Sequence, residues 1–200
     1  MTNLDSSRKS IAVRVTEPII KFISKTPLTP NMVTVIGFAI TVVSGALAFT
    51  DHLLAAGLIV LLAGAFDMLD GALARTTKRV TKFGAILDST LDRVSEALVL
   101  LGLLAVFVRA GHLPESMLTG FALLGSFLTS YTRARMEGLG IECKAGLFTR
   151  PERVIVTAAG LIFSGISYVL LIALIIVTFF SWYTTVERMV YAWRSLKTEK

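Results

Sequence analysis

The chain has 200 residues, 54% of them hydrophobic, with a mean hydropathy of +0.72 and a net charge of +6. A composition this apolar excludes an ordinary soluble domain and indicates an all-α, polytopic integral membrane protein. The basic excess then belongs to cytoplasmic edges that meet anionic lipid headgroups, and not to nucleic acid, while the single cysteine, Cys143, excludes an internal disulfide and a cysteine-based zinc site.

Residues 1–10 are polar and carry no secretory-signal pattern. Ile11, Val15, Ile19, Phe22 and Ile23 then recur at helical spacing, with Arg14, Lys21 and Lys25 on other faces. This pattern predicts an interfacial amphipathic helix along the cytoplasmic leaflet. Thr26-Pro27-Leu28-Thr29-Pro30 breaks the chain, and Asn31 is placed to cap the first span. A spanning helix needs ~20 mostly apolar residues. Six such stretches are predicted, at about 31–50, 53–74, 85–108, 116–135, 151–163 and 168–192. The fifth is short and has room to extend through Ser164-Gly165; the sixth is long enough to project beyond the bilayer. The expected organisation is an N-terminal cytoplasmic segment (1–28), a six-helix transmembrane domain (29–194) and a cytoplasmic tail (195–200).

Charge sets the orientation. Of the 20 Lys and Arg residues, 19 fall at the N-terminus, within 75–93, within 133–153 or at the C-terminus, and Arg109 stands apart. With six spans, those four places lie on one side, which the positive-inside rule makes cytoplasmic. Both termini are therefore expected in the cytoplasm, in a multi-pass protein of the cell membrane.

Asp67, Asp70, Asp88 and Asp92 interrupt this oily chain, between the uncharged runs 53–66 and 98–108. Carboxylates at a membrane boundary are expensive and mark ions, protons or substrate. Asp67 and Asp70 are i, i+3, and Asp88 and Asp92 are i, i+4, so each pair shares a helix face. Two facing helices would gather four hard oxygen donors, a set suited to Mg²⁺ or Mn²⁺. A purely structural network with Arg75 and Arg93 would leave four acids against two bases, an excess that a divalent metal would neutralise. Gly57, Gly64 and Gly71 repeat every seven residues along the stripe that carries Asp67, a spacing that favours close helix packing for Gly57 and Gly64.

The intervening residues sharpen this. Asp67-x2-Asp70-Gly71-x2-Ala74-Arg75-x8-Gly84-x3-Asp88-x3-Asp92 resembles, at every fixed position, the signature of the CDP-alcohol phosphatidyltransferases, integral-membrane enzymes of phospholipid synthesis. Six spans with both termini cytoplasmic is also that family's architecture. The resemblance implies a phosphoryl substitution in which an alcohol attacks a CDP-lipid and CMP leaves. By position in the motif, Asp67, Asp70, Asp88 and Asp92 would hold two divalent ions, Mg²⁺ or Mn²⁺, and Asp92 would also be the general base. Gly71, Ala74, Arg75, Thr81 and Gly84 would frame the nucleotide diphosphate, Arg75 through its planar fork. Asn31, Met32, Val33 and Thr34, in Leu28-Thr29-Pro30-Asn31-Met32-Val33-Thr34, match the family's entry to the first span, near the nucleotide. The resemblance further implies a homodimer.

A second basic cluster consists of Arg133 and Arg135 on the fourth span, Arg150 and Arg153 opening the fifth, and Arg188 near the end of the sixth. Converging guanidiniums would suit a phosphorylated acceptor, whereas the positive-inside rule alone explains about half of them. Arg153 is harder to explain that way, because a cation is unfavourable at a helix start. The stretches Ser130-Tyr131-Thr132-Arg133-Ala134-Arg135 and Phe148-Thr149-Arg150-Pro151-Glu152-Arg153 resemble the prokaryotic branch that joins inositol 1-phosphate to CDP-diacylglycerol. By that resemblance Arg133, Arg153 and Arg188, with Arg135, bind the acceptor phosphate; Arg133 stands where that branch carries Lys. Glycerol 3-phosphate is the nearest alternative acceptor, and an ether lipid could replace the diacylglycerol. A membrane prenyltransferase lacks this Gly-Ala-Arg-Gly framework. An ion transporter would place its acids at the midplane.

Overall fold

The computed structural model describes residues 26–77 and 79–198, so the expected amphipathic helix at 11–23 lies outside the described residues. Among the described residues the chain is all-helical, with six helices and no strand: α1 (Pro30–Phe49), α2 (Leu53–Thr76), α3 (Lys82–Arg109), α4 (Leu113–Gly138), α5 (Arg150–Ile162) and α6 (Val169–Thr198).

The helix starts follow ordinary capping chemistry, with one departure from expectation. Thr29, and not Asn31, caps α1: its hydroxyl accepts from the Met32 N–H, and Pro30 occupies the first turn, where a missing N–H costs nothing. Thr81 caps α3 by accepting from the Gly84 N–H at 2.9 Å. Ahead of α5, the Glu152 carboxylate accepts from the Thr149 backbone N–H at 2.9 Å and from its hydroxyl at 2.6 Å, closing a capping box. The α5 helix stops at Ile162 and does not run through Ser164-Gly165. At 13 residues, with about 1.5 Å of rise per residue, it is shorter than the hydrocarbon core. The α1–α2 connection is a tight turn in which Asp51 takes a left-handed φ of 65°.

The helices pack in a closed circuit: α1 on α2, α2 on α5, α5 on α6, α6 on α4, α4 on α3, and α3 back on α1. Small residues set the closest crossings. A Cβ on Gly102 of α3 would lie 2.6 Å from the Gly45 carbonyl oxygen of α1, and one on Gly57 of α2 would lie 2.9 Å from the Ala158 carbonyl oxygen of α5. Gly57 is thus a packing residue, as its spacing predicts. Hydroxyls join helix to helix where water is scarce: Ser44 of α1 donates to the Ala56 carbonyl of α2 at 2.8 Å, and Thr129 of α4 to the Ser181 carbonyl of α6 at 2.8 Å. The core between them holds Val60, Val99, Leu100, Leu103, Leu161, Leu174 and Val177.

Outward faces carry large apolar side chains, among them Val42, Leu58, Leu101, Phe121, Ile172 and Phe179. Among the described residues three helices, α1, α2 and α6, are long and apolar enough to cross a membrane. With these apolar exteriors, the chain is a membrane protein. The principal contacts include none between α2 and α3, which flank α1. A wedge stays open between the two helices that carry the aspartates.

Candidate active site

Two cavities meet at Asp88. The first, ≈ 340 Å³, lies among α1, α2 and α3 and is lined by Asn31, Thr34, Asp70, Gly71, Ala74, Arg75, Arg79, Thr81, Gly84 and Asp88. The second, ≈ 750 Å³, reaches across α2 to α6 and is lined by Asp67, Asp88, Asp92, Arg93, Ser130, Arg133, Arg150, Arg153 and Arg188, with Leu61, Met68 and Ile155 at an apolar end. Asp88 lines both.

The first cavity gathers most of the residues expected around a nucleotide. Thr34, on the first turns of α1, donates to Asp70 Oδ2 at 2.7 Å and fixes a carboxylate that is only 4% exposed. Gly84 is required by space: a Cβ there would lie 2.9 Å from both Asn31 Oδ1 and Thr81 Oγ1. Gly71 has nothing closer to its Cβ position than Arg75 Nη1 at 3.4 Å, so it faces the open cavity. Met32 and Val33 do not join this group. Met32 is exposed, and Val33 is buried against Leu69 and Leu73 in a small core between α1 and α2. Val33 thereby holds the α1–α2 crossing beside the cavity.

The second cavity contains the other carboxylates and the arginines. Arg150, at the first position of α5, bridges the two aspartate helices: Nη2 lies 2.7 Å from Asp67 Oδ2, and Nη1 lies 2.9 Å from Asp92 Oδ1. Its Nε is buried without a partner. Arg93 stands 3.6 Å from Asp92. The principal counter-ion of the aspartates is therefore an arginine from α5, and not the Arg75–Arg93 pair considered from the sequence. As placed, no three acidic, histidine or cysteine side chains among the described residues converge on one metal-sized point. The donor set is nonetheless all hard carboxylate oxygen, the chemistry a divalent cation of the Mg²⁺ class takes. Arg150 supplies cationic charge between two of those donors.

Three of the four arginines expected at an acceptor line this cavity: Arg133, Arg153 and Arg188. Arg188 is 3% exposed and donates from Nε to the Ala145 carbonyl at 3.1 Å and from Nη1 to the Thr129 carbonyl. Gly146 makes that possible. Its φ is +130°, and a Cβ there would lie 2.6 Å from Arg188 Nη2, so only glycine lets the loop pass over the guanidinium. Arg133 is half-exposed and pairs with Glu137 one turn on, at 2.8 Å. Arg135 is exposed and does not line the cavity. On a helix, residues two apart point to different faces, so Arg133 and Arg135 cannot address one pocket together.

Two further residues, Glu96 and Arg150, complete this site. Glu96 binds Arg153 side-on, at 2.6 Å to Nε and 2.8 Å to Nη2. It continues the i, i+4 series Asp88, Asp92, Glu96 along one face of α3. Arg150 sits beside Pro151 at the N-terminus of α5, a position that fixes its direction.

Comparison with known proteins agrees with this geometry. The profile of the CDP-alcohol phosphatidyltransferases matches residues 27–194. The chain is similar to a phosphatidylinositol phosphate synthase of Mycobacteroides abscessus, 41% identical over 162 residues covering 80% of this chain and 73% of the relative. It is also similar to an archaetidylinositol phosphate synthase of Pyrococcus horikoshii, 36% identical over 90% of this chain and 92% of the relative. The phosphatidylinositol phosphate synthase of Mycobacterium tuberculosis, solved with CDP-DAG bound, superposes with a TM-score of 0.83 at 33% identity over 90% of this chain and 94% of that one. The same enzyme solved in complex with manganese and citrate gives a TM-score of 0.82 at 34% identity, over 89% and 88% of the two chains. The chain belongs to the CDP-alcohol phosphatidyltransferase family.

Proposed function

We propose that this enzyme transfers the phosphatidyl group of CDP-diacylglycerol to inositol 1-phosphate, giving phosphatidylinositol phosphate and CMP. The observation that carries the reading is the pair of cavities that share Asp88, one framed by the nucleotide motif and the other walled by five arginines. In this arrangement the CDP group lies against Gly71, Ala74, Arg75, Thr81 and Gly84, and the lipid leaves along the apolar wall of Leu61, Met68 and Ile155. The acceptor phosphate lies among Arg133, Arg153 and Arg188. Asp92 takes the proton of the attacking hydroxyl, whose oxygen bonds to the lipid-bearing phosphorus as the bond to CMP breaks. Arg150 keeps the Asp92 carboxylate oriented until then.

Divalent metal fits the reading, because the relative of known structure was solved with manganese and four carboxylates stand on α2 and α3. Asp67, Asp70, Asp88 and Asp92 would hold two ions of Mg²⁺ or Mn²⁺. When bound, such ions neutralise the diphosphate charge that grows as CMP departs.

The same reading places six helices across the cell membrane, with both termini and the site on the cytoplasmic side, in a homodimer. Here α3, α4 and the short α5 cross as members of the packed circuit, not as isolated apolar spans. Protease accessibility of an end tag tests that topology.

The deciding experiment incubates purified enzyme with CDP-diacylglycerol, Mg²⁺ and inositol 1-phosphate, against a glycerol 3-phosphate control. CMP release with inositol 1-phosphate alone supports the reading; release with glycerol 3-phosphate alone replaces it with phosphatidylglycerophosphate synthesis. A CDP-archaeol donor tests the ether-lipid variant, which the Pyrococcus relative's name makes specific.

A further inference from the structure

The three cavity arginines differ in what holds them. Arg188 is tied to backbone carbonyls and Arg133 to a surface glutamate. Arg153 is 1% exposed and is gripped by the Glu96 carboxylate, itself 11% exposed. A guanidinium carries five N–H donors. The side-on grip uses the one on Nε and one on Nη2. On the end-on edge Nη2 also donates to Ser130 Oγ, at a long 3.5 Å, which leaves Nη1 as the uncommitted end. Ser130 and Arg153 both line the acceptor-side cavity, whereas Glu96 does not and lines a water-sized void of ≈ 30 Å³ that Asp67 and Arg150 also line. Glu96 also lies one turn past Asp92 on α3.

We infer that Glu96 is a positioning residue for acceptor recognition: it turns Arg153 side-on and reserves the end-on edge for the acceptor's phosphate. One rigid helix then sets the base, through Asp92, and the phosphate clamp, through Glu96, at a fixed separation, which is what in-line attack by a hydroxyl at a set distance from its own phosphate needs. The inference rests on the proposed reading of this cavity as the acceptor site.

The test compares Glu96→Gln, Glu96→Asp and Arg153→Ala in the full chain. CMP release is followed while inositol 1-phosphate and CDP-diacylglycerol are varied separately, and thermal melting is recorded for each variant. Glu96→Gln is expected to raise the KM for inositol 1-phosphate roughly tenfold or more, because one partner of a buried charged pair is lost, with the KM for CDP-diacylglycerol unchanged. Glu96→Asp keeps the charge but not the reach, so its acceptor KM is expected to stay raised; a wild-type value would reduce Glu96 to charge balance and overturn the inference. Equal losses toward both substrates, tracking a lowered melting temperature, would overturn it as well, leaving a structural ion pair. If Arg153→Ala raises the acceptor KM and Glu96→Gln does not, positioning fails while the acceptor reading stands. If Arg153→Ala leaves the acceptor KM unchanged, the acceptor reading itself fails.

Discussion

The two cavities on either side of Asp88 are built differently. The nucleotide-side cavity is made by α1, α2 and α3, and most of its wall lies in one unbroken motif from Asp70 to Asp88. The acceptor-side cavity is closed by pairings between residues far apart in sequence: Asp67 with Arg150, Asp92 with Arg150, and Glu96 with Arg153. In the first, most of the lining residues come from one continuous stretch on two helices. In the second, the chemistry exists only after α5 and α6 have docked. A substitution in the first should therefore act mainly on the CDP-lipid, and one in the second on the acceptor and on the docking of α5.

The largest effect is expected at the proposed base, on the acceptor side. Asp92→Asn keeps the shape and removes the proton acceptor, so turnover should fall by roughly 10²–10⁴-fold while CDP-diacylglycerol still binds. Equilibrium binding of the CDP-lipid beside CMP release reads both; retained turnover would remove the base role. Chelation of divalent metal is expected to abolish CMP release in the wild type, with recovery on adding Mg²⁺ or Mn²⁺. Activity that survives exhaustive chelation would leave the four carboxylates needing another account.

Arg150 offers the sharpest test of how the acceptor side is held together. Its side chain is about one-fifth exposed and joins α5 to both aspartate helices. Removing one partner of such a partly buried pair costs less than the several kcal/mol of a fully buried one, but still destabilises. Arg150→Gln is therefore expected to melt at a clearly lower temperature without metal. Added Mn²⁺ should recover part of the loss, because the ion neutralises the same carboxylates. No recovery would mean that the metal and Arg150 do not share those donors.

The same contrast explains what could be read from the chain before its structure. The proposed nucleotide wall is what the family resemblance implies, carried by Gly71, Arg75, Gly84 and their fixed gaps, and helix identity followed from the apolar runs. The N-cap did not: Asn31 and Thr29 are both good capping residues, and only Pro30 at the first turn decides for Thr29. Arg150 and Glu96 were not assigned because their roles are pairings 57 or more residues apart, and no local rule links such positions. The short apolar run was legible at α5, but its stop was not: the helix ends at Ile162 and does not use the room through Ser164-Gly165.

On the nucleotide side, Gly84→Ala should give a smaller and more selective effect. The new methyl would press on Asn31 Oδ1 and Thr81 Oγ1, both at 2.9 Å. Thr81 caps α3, and losing a cap costs about 1 kcal/mol. The expected outcome is a several-fold rise in the KM for CDP-diacylglycerol, with the acceptor KM unmoved. An equal rise for both substrates would erase the distinction between the two cavities.

The smallest expected effect separates two arginines that look equivalent in sequence. Arg133 lines the acceptor-side cavity, half-exposed and paired with Glu137 at 2.8 Å. The phosphate contact proposed for it would compete with water and with that glutamate, and so would be worth less than a buried one. Arg133→Ala should raise the KM for inositol 1-phosphate by only a few-fold. Arg135 points away from the cavity into solvent, and Arg135→Ala should shift the same constant by less than about twofold, the range of an ordinary surface substitution. Measured side by side, a larger effect at Arg135 than at Arg133 would mean that α4 presents a different face to the acceptor. The whole acceptor wall, which depends on that face meeting α6 through Thr129 and Arg188, would then have to be redrawn, while the nucleotide wall on α1, α2 and α3 would be untouched.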